Sequence, residues 1–456
     1  MTRCPESALA AHLANLPNRP LLQATRYRLA QALLDWFTAG WAASGMPLAT
    51  ALQDLAVTSV PGQGPAHVFG GSPLQPLAAG FANAGIAHLR EIDDAHRAAM
   101  LHPGVVAISP VLALAATQAL SVRRAAHAII AGYEVALRVG EALGTRHAAS
   151  FHATATAGTV GAAAASAVAL GLPQAQLHHA MGIAATQSAG LWQLVDDEAH
   201  ESKSLHPAFA VRNGMMAAWA AQAGFPGARS FMTGRRGLYA LLGGDGPLAA
   251  LDSDLDAPER LNTATIKAWP CCAQLFTPLD ATREILATHH PSVQDIESVS
   301  VVIFPHALKI AGIHWPTKPA EAPFCLRYVV ATLIINGRLG IDDMETPDLQ
   351  SPVLLALAER VQVTTDEGFQ RAFPQKRPSR VTITLKDGSS FSALRELRRG
   401  DPEDPFDWQQ LQVRMRAFAP AMTDPQAAQL TQWCAAFGDA SNDDLPCRPV
   451  AELFGG

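Results

Sequence analysis

The sequence predicts a mainly α-helical protein with a smaller α/β unit inserted toward its C-terminal end. Nearly half of the 456 residues are hydrophobic and only 16% are charged, as in a well-packed helical protein. Apolar residues recur at helical spacing through most of the first 252 residues, and β-branched runs typical of strands follow. We therefore expect a large helical domain formed by residues 1–262 and 401–456, and a smaller α/β domain formed by residues 263–400.

The helical domain can be traced along the chain by its periodicity and its breaks. Residues 6–60 carry helical stripes, and the Gly- and Pro-rich segment 61–76 is predicted to be an irregular loop or a pair of turns. Further helices are predicted over Leu77–Asp93, Val105–Leu120, Arg123–Gly144 and Thr154–Leu170. Residues 208–252 are predicted to continue helical, with turns at Phe225–Gly227 and Gly243–Gly246, and C-terminal helices are predicted between residues 405 and 440.

The smaller domain is identified by its β-branched segments. Strands are predicted at Val299–Phe304, Val361–Thr365 and Val381–Leu385. Asp387-Gly388 is typical of a hairpin turn, because these residues tolerate a positive φ, so Ser389–Leu394 is expected to form the next strand. The segment from Asp401 to Pro405 is interpreted as the linker that returns to the helical domain.

Charge and composition exclude several classes of partner and location. The formal net charge is -6, and there is no run of Lys or Arg, so no nucleic-acid partner is expected. The longest uncharged apolar stretches, residues 103–122 and 148–178, are interrupted by Pro, Gly, Ser, Thr or His, which favours packed interior helices over membrane spans. Six scattered cysteines and an N-terminus without an apolar leader predict a reducing, cytoplasmic location.

Histidines stand at three predicted helix starts. His102 and His206 each precede a proline, which is favoured at the first helical position, and His152 precedes a long helix of small residues. A helix start presents free N–H groups that suit a carboxylate or phosphate, and imidazole exchanges protons near neutral pH. With Lys203 close by in sequence, His152 and His206 predict a pocket for a small anion, although each histidine could instead be a simple cap.

No cofactor motif accompanies these residues. The sequence has no metal-binding spacing, no dinucleotide or P-loop glycine pattern, and no G-x-S-x-G elbow. Acids, histidines and lysine without a cofactor suit proton abstraction next to a carboxylate, in which cations stabilise the developing enediolate. Elimination of water, decarboxylation and epimerisation share this first step, and spacing alone does not distinguish them.

Five segments together resemble the MmgE/PrpD family. They are EIDDAHRAAMLHPG (Glu91–Gly104), GYEVALRVG (Gly132–Gly140), FHATATAGTVGAAAA (Phe151–Ala165), KSLHPAFA (Lys203–Ala210) and IKAWPCC (Ile266–Cys272). The resemblance extends in order from about residue 25 to 420. It implies a helical domain, a smaller α/β lid, a cleft between them, a homodimer and metal-free catalysis.

The resemblance also implies site residues. It puts His102, His152, Lys203 and Lys267 in the active site, with the two histidines as a proton-transfer pair and the two lysines as carboxylate clamps. Substrate-binding or supporting residues are then Glu91, Asp93, Asp94, His206 and Cys272. Glu91 stands where the family commonly has Asp, and Cys272 stands where the decarboxylase branch has His, which counts against decarboxylation.

The expected function is a metal-free lyase acting on a small di- or tricarboxylate, with 2-methylcitrate-type dehydration as the first hypothesis. One alternative is an epimerase or isomerase of an α-substituted dicarboxylate, of the iminodisuccinate type. The other is a homologue that binds a metabolite without turning it over.

Overall fold

The computed structural model describes residues 4–257, 259–312 and 314–455. The chain divides into two compact units, one formed by Met1–Ala264 with Leu411–Gly456 and the other by Thr265–Gln410. The first unit is helical apart from one short hairpin, and the second contains a four-stranded sheet. The fold class is therefore the predicted one, mainly α with a smaller α/β unit.

The segment 401–410 belongs to the second unit, whereas the sequence suggested a return to the helical domain at residue 401. Asp401 Oδ1 accepts hydrogen bonds from Thr265 Oγ1 at 2.6 Å and from Arg398 Nη2 at 2.7 Å. The N–H of Gly400 donates to the carbonyl of Asp404 at 2.8 Å. These contacts fold the segment back onto the start of the second unit.

Thirteen α-helices of the described residues lie wholly or mainly in the first unit. They are α1 (Pro5–Asn15), α2 (Gln23–Ala43), α3 (Pro47–Ser59), α4 (Pro76–His88), α5 (Pro103–Ala115), α6 (Val122–Ala148), α7 (Ala153–Leu170), α8 (Gln174–Ala185), α9 (Gln193–Asp196), α10 (Leu205–Gln222), α11 (Leu238–Leu241), α18 (Trp408–Phe418) and α19 (Asp424–Ala435). The first residues of α18 belong to the second unit. Short 3-10 turns join several of these helices.

Helix α7 forms the centre of the first unit and contacts α5, α6, α8 and α10. A Cβ added at Gly161 would lie 2.7 Å from the Cβ of Ala136 and 2.9 Å from the carbonyl oxygen of Gly132. The small residues therefore bring the backbones of α6 and α7 close together. In the described ranges, α7 alone is long and apolar enough to span a membrane, and 94% of it is buried inside the protein, as in a core helix.

Segment 61–76 was predicted to be an irregular loop, and this is wrong for most of its length. It forms an antiparallel hairpin of β1 (Gln63–Val68) and β2 (Gly71–Leu74), with Gly70 at φ 62° in the turn. The side chain of Asn83 holds the hairpin, since its Oδ1 accepts from the Phe69 N–H at 3.0 Å and its Nδ2 donates to the His67 carbonyl at 2.9 Å. A long-range amide contact thus overrides the local turn signals.

Helix α4 also differs from its prediction, because it ends at His88 instead of Asp93. The Glu91 N–H still donates to the His88 carbonyl at 3.1 Å, but Glu91 itself adopts a positive φ of 53°. A non-glycine residue in this left-handed region terminates a helix. The chain then turns inward, so that Asp93 and Asp94 are buried.

The second unit contains helices packed on a sheet with strand order β4-β3-β5-β6. Its strands are β3 (Ile296–Ile303), β4 (Val361–Thr365), β5 (Ser379–Leu385) and β6 (Ser390–Arg395), and its helices are α12 (Phe276–His289), α13 (Pro305–Ala311), α14 (Leu326–Asn336), α15 (Asp342–Glu345), α16 (Pro352–Ala358) and α17 (Glu367–Ala372). Strands β3 and β4 are parallel and the other pairs are antiparallel. The predicted strands and the turn at Gly388, with φ 87°, are confirmed.

Candidate active site

Two of the predicted histidines stand at the starts of neighbouring helices. His102 is the N-cap residue of α5, with Pro103 following it, and His152 is the N-cap residue of α7. The His102 N–H donates to Thr154 Oγ1, in the first turn of α7, at 3.0 Å. This bond ties the two helix starts together, so the two imidazoles come within 6.1 Å of each other, centroid to centroid.

A buried carboxylate connects two histidines of this site. Asp93 Oδ2 lies 2.9 Å from His88 Nδ1 and 3.2 Å from His102 Nδ1. Burial alone would raise the pKa of Asp93, but the adjacent His88 and His102 outweigh it and hold the pKa well below its usual range. Asp93 is therefore an anion that orients both rings.

His88 is a site residue that sequence reasoning missed. It is the last residue of α4 and is 1% exposed, and its ring lies 4.6 Å from that of His102 and 5.6 Å from that of His152. The only sign of it in the sequence is its position, near the end of an otherwise apolar helix and shortly before Asp93 and Asp94. Only the early end of α4 turns Asp93 back toward it.

His152 is held in its neutral form. Burial lowers its pKa well below the usual value, and the charge of Lys203 and the neighbouring histidines act in the same direction. Its Nδ1 lies 3.0 Å from Nδ1 of His206, whose pKa is lowered to about 4, chiefly by burial. The Trp192 ring packs 4.7 Å from the His152 ring, and its Nε1 donates to the Ala148 carbonyl at 2.8 Å, which fixes the indole.

The prediction that His206 is a helix cap is wrong. Helix α10 begins at Leu205, so His206 lies in its first turn. The 3-10 turn His200–Ser204 runs directly into the helix and moves its start upstream. Pro207 is tolerated there because first-turn N–H groups have no partner within the helix. His206 instead contacts His152 through its side chain.

Lys203 forms an ion pair with a carboxylate of the protein itself. Its Nζ lies 2.6 Å from Glu91 Oε2, and its side chain is 13% exposed, whereas that of Glu91 is 44% exposed. Lys203 comes from the 3-10 turn before α10 and Glu91 from the turn after α4. The protein thus brings a largely buried cation to an accessible carboxylate near the neutral His152.

Both carboxylate oxygens of Asp94 accept hydrogen bonds from other groups of the protein. Its Oδ1 accepts from the Gly104 N–H at 2.8 Å, and its Oδ2 accepts from the Tyr133 hydroxyl at 2.7 Å. Burial, together with the negative charge of Asp35, raises the pKa of Asp94 to about 7. These contacts hold Asp94 at the start of α5, and its role as a substrate-binding or supporting residue stays a prediction.

Lys267 and Cys272 belong to the second unit. Lys267 is 5% exposed, and the Cys272 N–H donates to the Pro323 carbonyl at 3.0 Å. Burial raises the pKa of the adjacent Cys271 thiol well above its usual range, so that thiol stays protonated. The residues that lie together in the first unit are His88, Glu91, Asp93, His102, His152, Lys203 and His206.

The three central histidines also have the arrangement of a metal site. His88, His102 and His152 each offer one nitrogen, and these atoms lie within 4.8 Å of one another. The sequence motifs did not reveal this set, because its members come from the end of α4 and the starts of α5 and α7. The spacing along the chain therefore resembles no known ligand pattern.

Comparison with known proteins matches the two parts of the chain to two domains of one family. The MmgE/PrpD N-terminal domain matches residues 7–250, and the MmgE/PrpD C-terminal domain matches residues 269–435. The chain belongs to the MmgE/PrpD family.

The relatives that this chain resembles include decarboxylases and dehydratases. Cis-aconitate decarboxylase of Aspergillus terreus is 25% identical over 419 residues, which cover 86% of this chain and 84% of the relative. Cis-aconitate decarboxylase of Homo sapiens is 24% identical, and the match covers 76% of this chain and 74% of the relative. The 2-methylcitrate dehydratase of Salmonella typhimurium is 30% identical over 105 residues, 22% of each chain.

Proposed function

We propose that this protein is a lyase that removes water from a small di- or tricarboxylate of the 2-methylcitrate type, without a metal. The observation that supports this most directly is the pairing of two histidines with opposite surroundings. His152 is buried, neutral and next to a lysine, whereas His102 is next to the Asp93 carboxylate. Elimination needs one group that takes a proton and another that gives one.

The elimination assigns one step to each group. His152 takes the proton from the carbon next to a substrate carboxylate, and Lys203 stabilises the negative charge that moves onto that carboxylate. The electron pair then forms the double bond and expels the hydroxyl, which receives a proton from His102 and leaves as water. Asp93 orients His102 and stabilises its charged form, as carboxylates do for catalytic imidazoles. Proton exchange with solvent restores both histidines.

Lys203 supports a carboxylate substrate in particular. Its ammonium group already contacts the Glu91 carboxylate at 2.6 Å, although its side chain is largely buried. A substrate carboxylate that replaces Glu91 meets a cation placed for this geometry. We include Lys267 as a second carboxylate clamp and Cys272 as a substrate contact on the family resemblance, and Glu91 as the group exchanged on binding.

Decarboxylation of cis-aconitate is the second candidate. The relatives that cover most of the chain carry that name, whereas the dehydratase match covers 22% of it. Cys272, in place of the histidine of the decarboxylase branch, favours dehydration. Both reactions use the same carboxylate clamp and differ in whether hydroxyl or carbon dioxide leaves.

The test is incubation of EDTA-treated protein with 2-methylcitrate, citrate and cis-aconitate in D2O, followed by NMR. We expect an unsaturated acid from 2-methylcitrate, with no release of carbon dioxide from cis-aconitate. His152→Asn is expected to abolish this turnover, while His290→Asn, an exposed histidine at a left-handed position in the second unit, retains it. Carbon dioxide release identifies the decarboxylase. Deuterium exchange with inverted configuration identifies an epimerase, and binding without exchange identifies a non-catalytic homologue.

A further inference from the structure

We propose that His88, His102 and His152 form a binding site for a divalent transition-metal cation such as Zn²⁺, and that metal bound there inhibits the protein. The three residues each offer a nitrogen within 4.8 Å of the other two. Imidazole is a preferred ligand of zinc, cobalt, nickel and copper ions. The inhibition rests on the proposed lyase function, whereas the binding does not.

His88 provides an independent indication of a ligand. Its Nε2 is buried and has no hydrogen-bond partner among the described residues, although the residue is only 1% exposed. Its Nδ1 contacts Asp93 at 2.9 Å and carries the proton in that contact. In a neutral imidazole with this tautomer, the remaining nitrogen, Nε2, carries a lone pair, and here that atom is buried. Buried polar atoms without a partner are rare in proteins, and a bound ion accounts for this one.

Asp93 supplies the second feature of a metal site. Histidines that bind metals usually donate their other ring N–H to a carboxylate, which fixes the tautomer and makes the ligand nitrogen more basic. Asp93 Oδ2 contacts the Nδ1 atoms of both His88 and His102, at 2.9 Å and 3.2 Å. One carboxylate thus orients two of the three ligands, and its negative charge offsets part of the charge of the cation.

The cluster needs little movement to close on a metal. Zinc binds imidazole nitrogen at about 2.0–2.1 Å in a tetrahedron, which places two ligand nitrogens about 3.3 Å apart. A separation of up to 4.8 Å must then shrink by at most about 1.5 Å, a distance within reach of small ring rotations. Three protein ligands leave a fourth position open. Mg²⁺ and Ca²⁺ prefer oxygen ligands and are not expected to bind.

Inhibition is expected because coordination to the metal uses the lone pair of the imidazole nitrogen. A nitrogen that coordinates the cation can neither accept nor deliver a proton, so the metal removes His102 and His152 from the proposed elimination. A chelator that extracts the metal restores them. The site would thus make turnover sensitive to free zinc and insensitive to magnesium.

The binding test uses the full chain after EDTA treatment. Co²⁺ binding is followed by its visible absorption, and Zn²⁺ affinity by calorimetry and by displacement of Co²⁺. His88→Asn is the informative variant, because the amide nitrogen of Asn can replace Nδ1 toward Asp93 while the Nε2 ligand is lost. We expect it to lower zinc affinity by about 100-fold, and Asp93→Asn to lower it by about 10-fold to 100-fold.

The control is His290→Asn, which removes one member of the exposed pair His289-His290 in the second unit. Its zinc affinity should equal that of the unchanged protein. Equal affinity in the unchanged protein and in folded His88→Asn overturns the site, as does a loss of affinity in His290→Asn alone.

Turnover measurements test inhibition separately. Zinc should stop water elimination in the unchanged protein, and EDTA should restore it. If zinc binds at the site without loss of turnover, the proposed inhibition is wrong but the proposed binding site stands. Turnover that requires zinc overturns both inhibition and the metal-free lyase. A protein without lyase activity that still binds Co²⁺ through His88 supports the site and overturns the proposed function alone.

Discussion

Lys203 and Glu91 form an ion pair at 2.6 Å beside the neutral His152, and Glu91 has a left-handed backbone conformation with φ 53°. The pair joins the turn before α10 to the turn after α4. Both residues are predicted site residues, so Glu91 either assists substrate binding or competes with the substrate for Lys203.

We expect Glu91→Gln to lower KM for a carboxylate substrate by about fivefold, with kcat nearly unchanged. A partly exposed ion pair contributes roughly 1 kcal/mol, and its removal frees Lys203 for the substrate carboxylate. Steady-state kinetics measure the change. The matched control is Glu396→Gln, which breaks the exposed Lys376–Glu396 pair of the second unit, also 2.6 Å long. An increased KM in Glu91→Gln would instead make Glu91 a direct substrate ligand.

Asp93→Asn is expected to reduce kcat by about 100-fold or more while KM changes little. The substitution keeps the side-chain size but removes the anion that stabilises a charged His102. Turnover kinetics together with thermal denaturation separate this effect from misfolding. A folded Asp93→Asn protein with normal kcat would contradict the proposed role of His102 as the proton donor.

The stability of the first unit should depend on pH through His152 and His206. Burial lowers the pKa of His206 from 6.5 to about 4 and that of His152 well below 6.5. The unfolded chain therefore binds more protons below about pH 6.5, and the free energy of unfolding decreases as the pH falls from 6.5 toward 4. For the partly exposed His206 this contribution is about 1–2 kcal/mol after allowance for solvent screening.

Denaturant unfolding at pH 7 and pH 5 measures this contribution as a difference between the unchanged protein and His206→Gln. The comparison with this variant is needed because Asp94, whose pKa burial raises to about 7, changes the free energy of unfolding with pH in the opposite direction. Its contribution is present below the unfolded pKa near 4 and is lost as the pH rises toward 7. Identical pH slopes in the two proteins would mean that His206 is not held neutral by the fold.

Gly161→Ala should destabilise the first unit by about 1–3 kcal/mol, because the new methyl group forces α6 and α7 apart. Its Cβ would lie 2.7 Å from that of Ala136. The control is Gly45→Ala, where an added Cβ meets nothing within 4 Å. Chemical denaturation compares the two variants. A neutral Gly161→Ala would show that the helix pair can relax at this position.

The parts of the site that the sequence predicts are those with local signals. His102 precedes Pro103 and His152 precedes a run of small residues, and both patterns mark a helix start that the structure confirms. The turn at Asp387-Gly388 was recognised for the same reason. Each of these depends on the backbone preferences of a few adjacent residues.

The parts that were missed depend on contacts between distant residues. His88 joins the site because α4 stops early and Asp93 turns back to it, and no pattern within α4 reports this. The hairpin in segment 61–76 depends on the amide of Asn83, and the start of α10 depends on a 3-10 turn upstream of His206. Periodicity describes which face of an element is buried, but it does not describe what a buried polar group will meet.

One oxygen of Asp93 lies near a nitrogen of two different rings, 2.9 Å from His88 Nδ1 and 3.2 Å from His102 Nδ1. The end of α4 and the start of α5, which carry these histidines, are therefore aligned through a single atom. A substitution that moves this oxygen displaces both imidazoles together, so their positions cannot be adjusted independently.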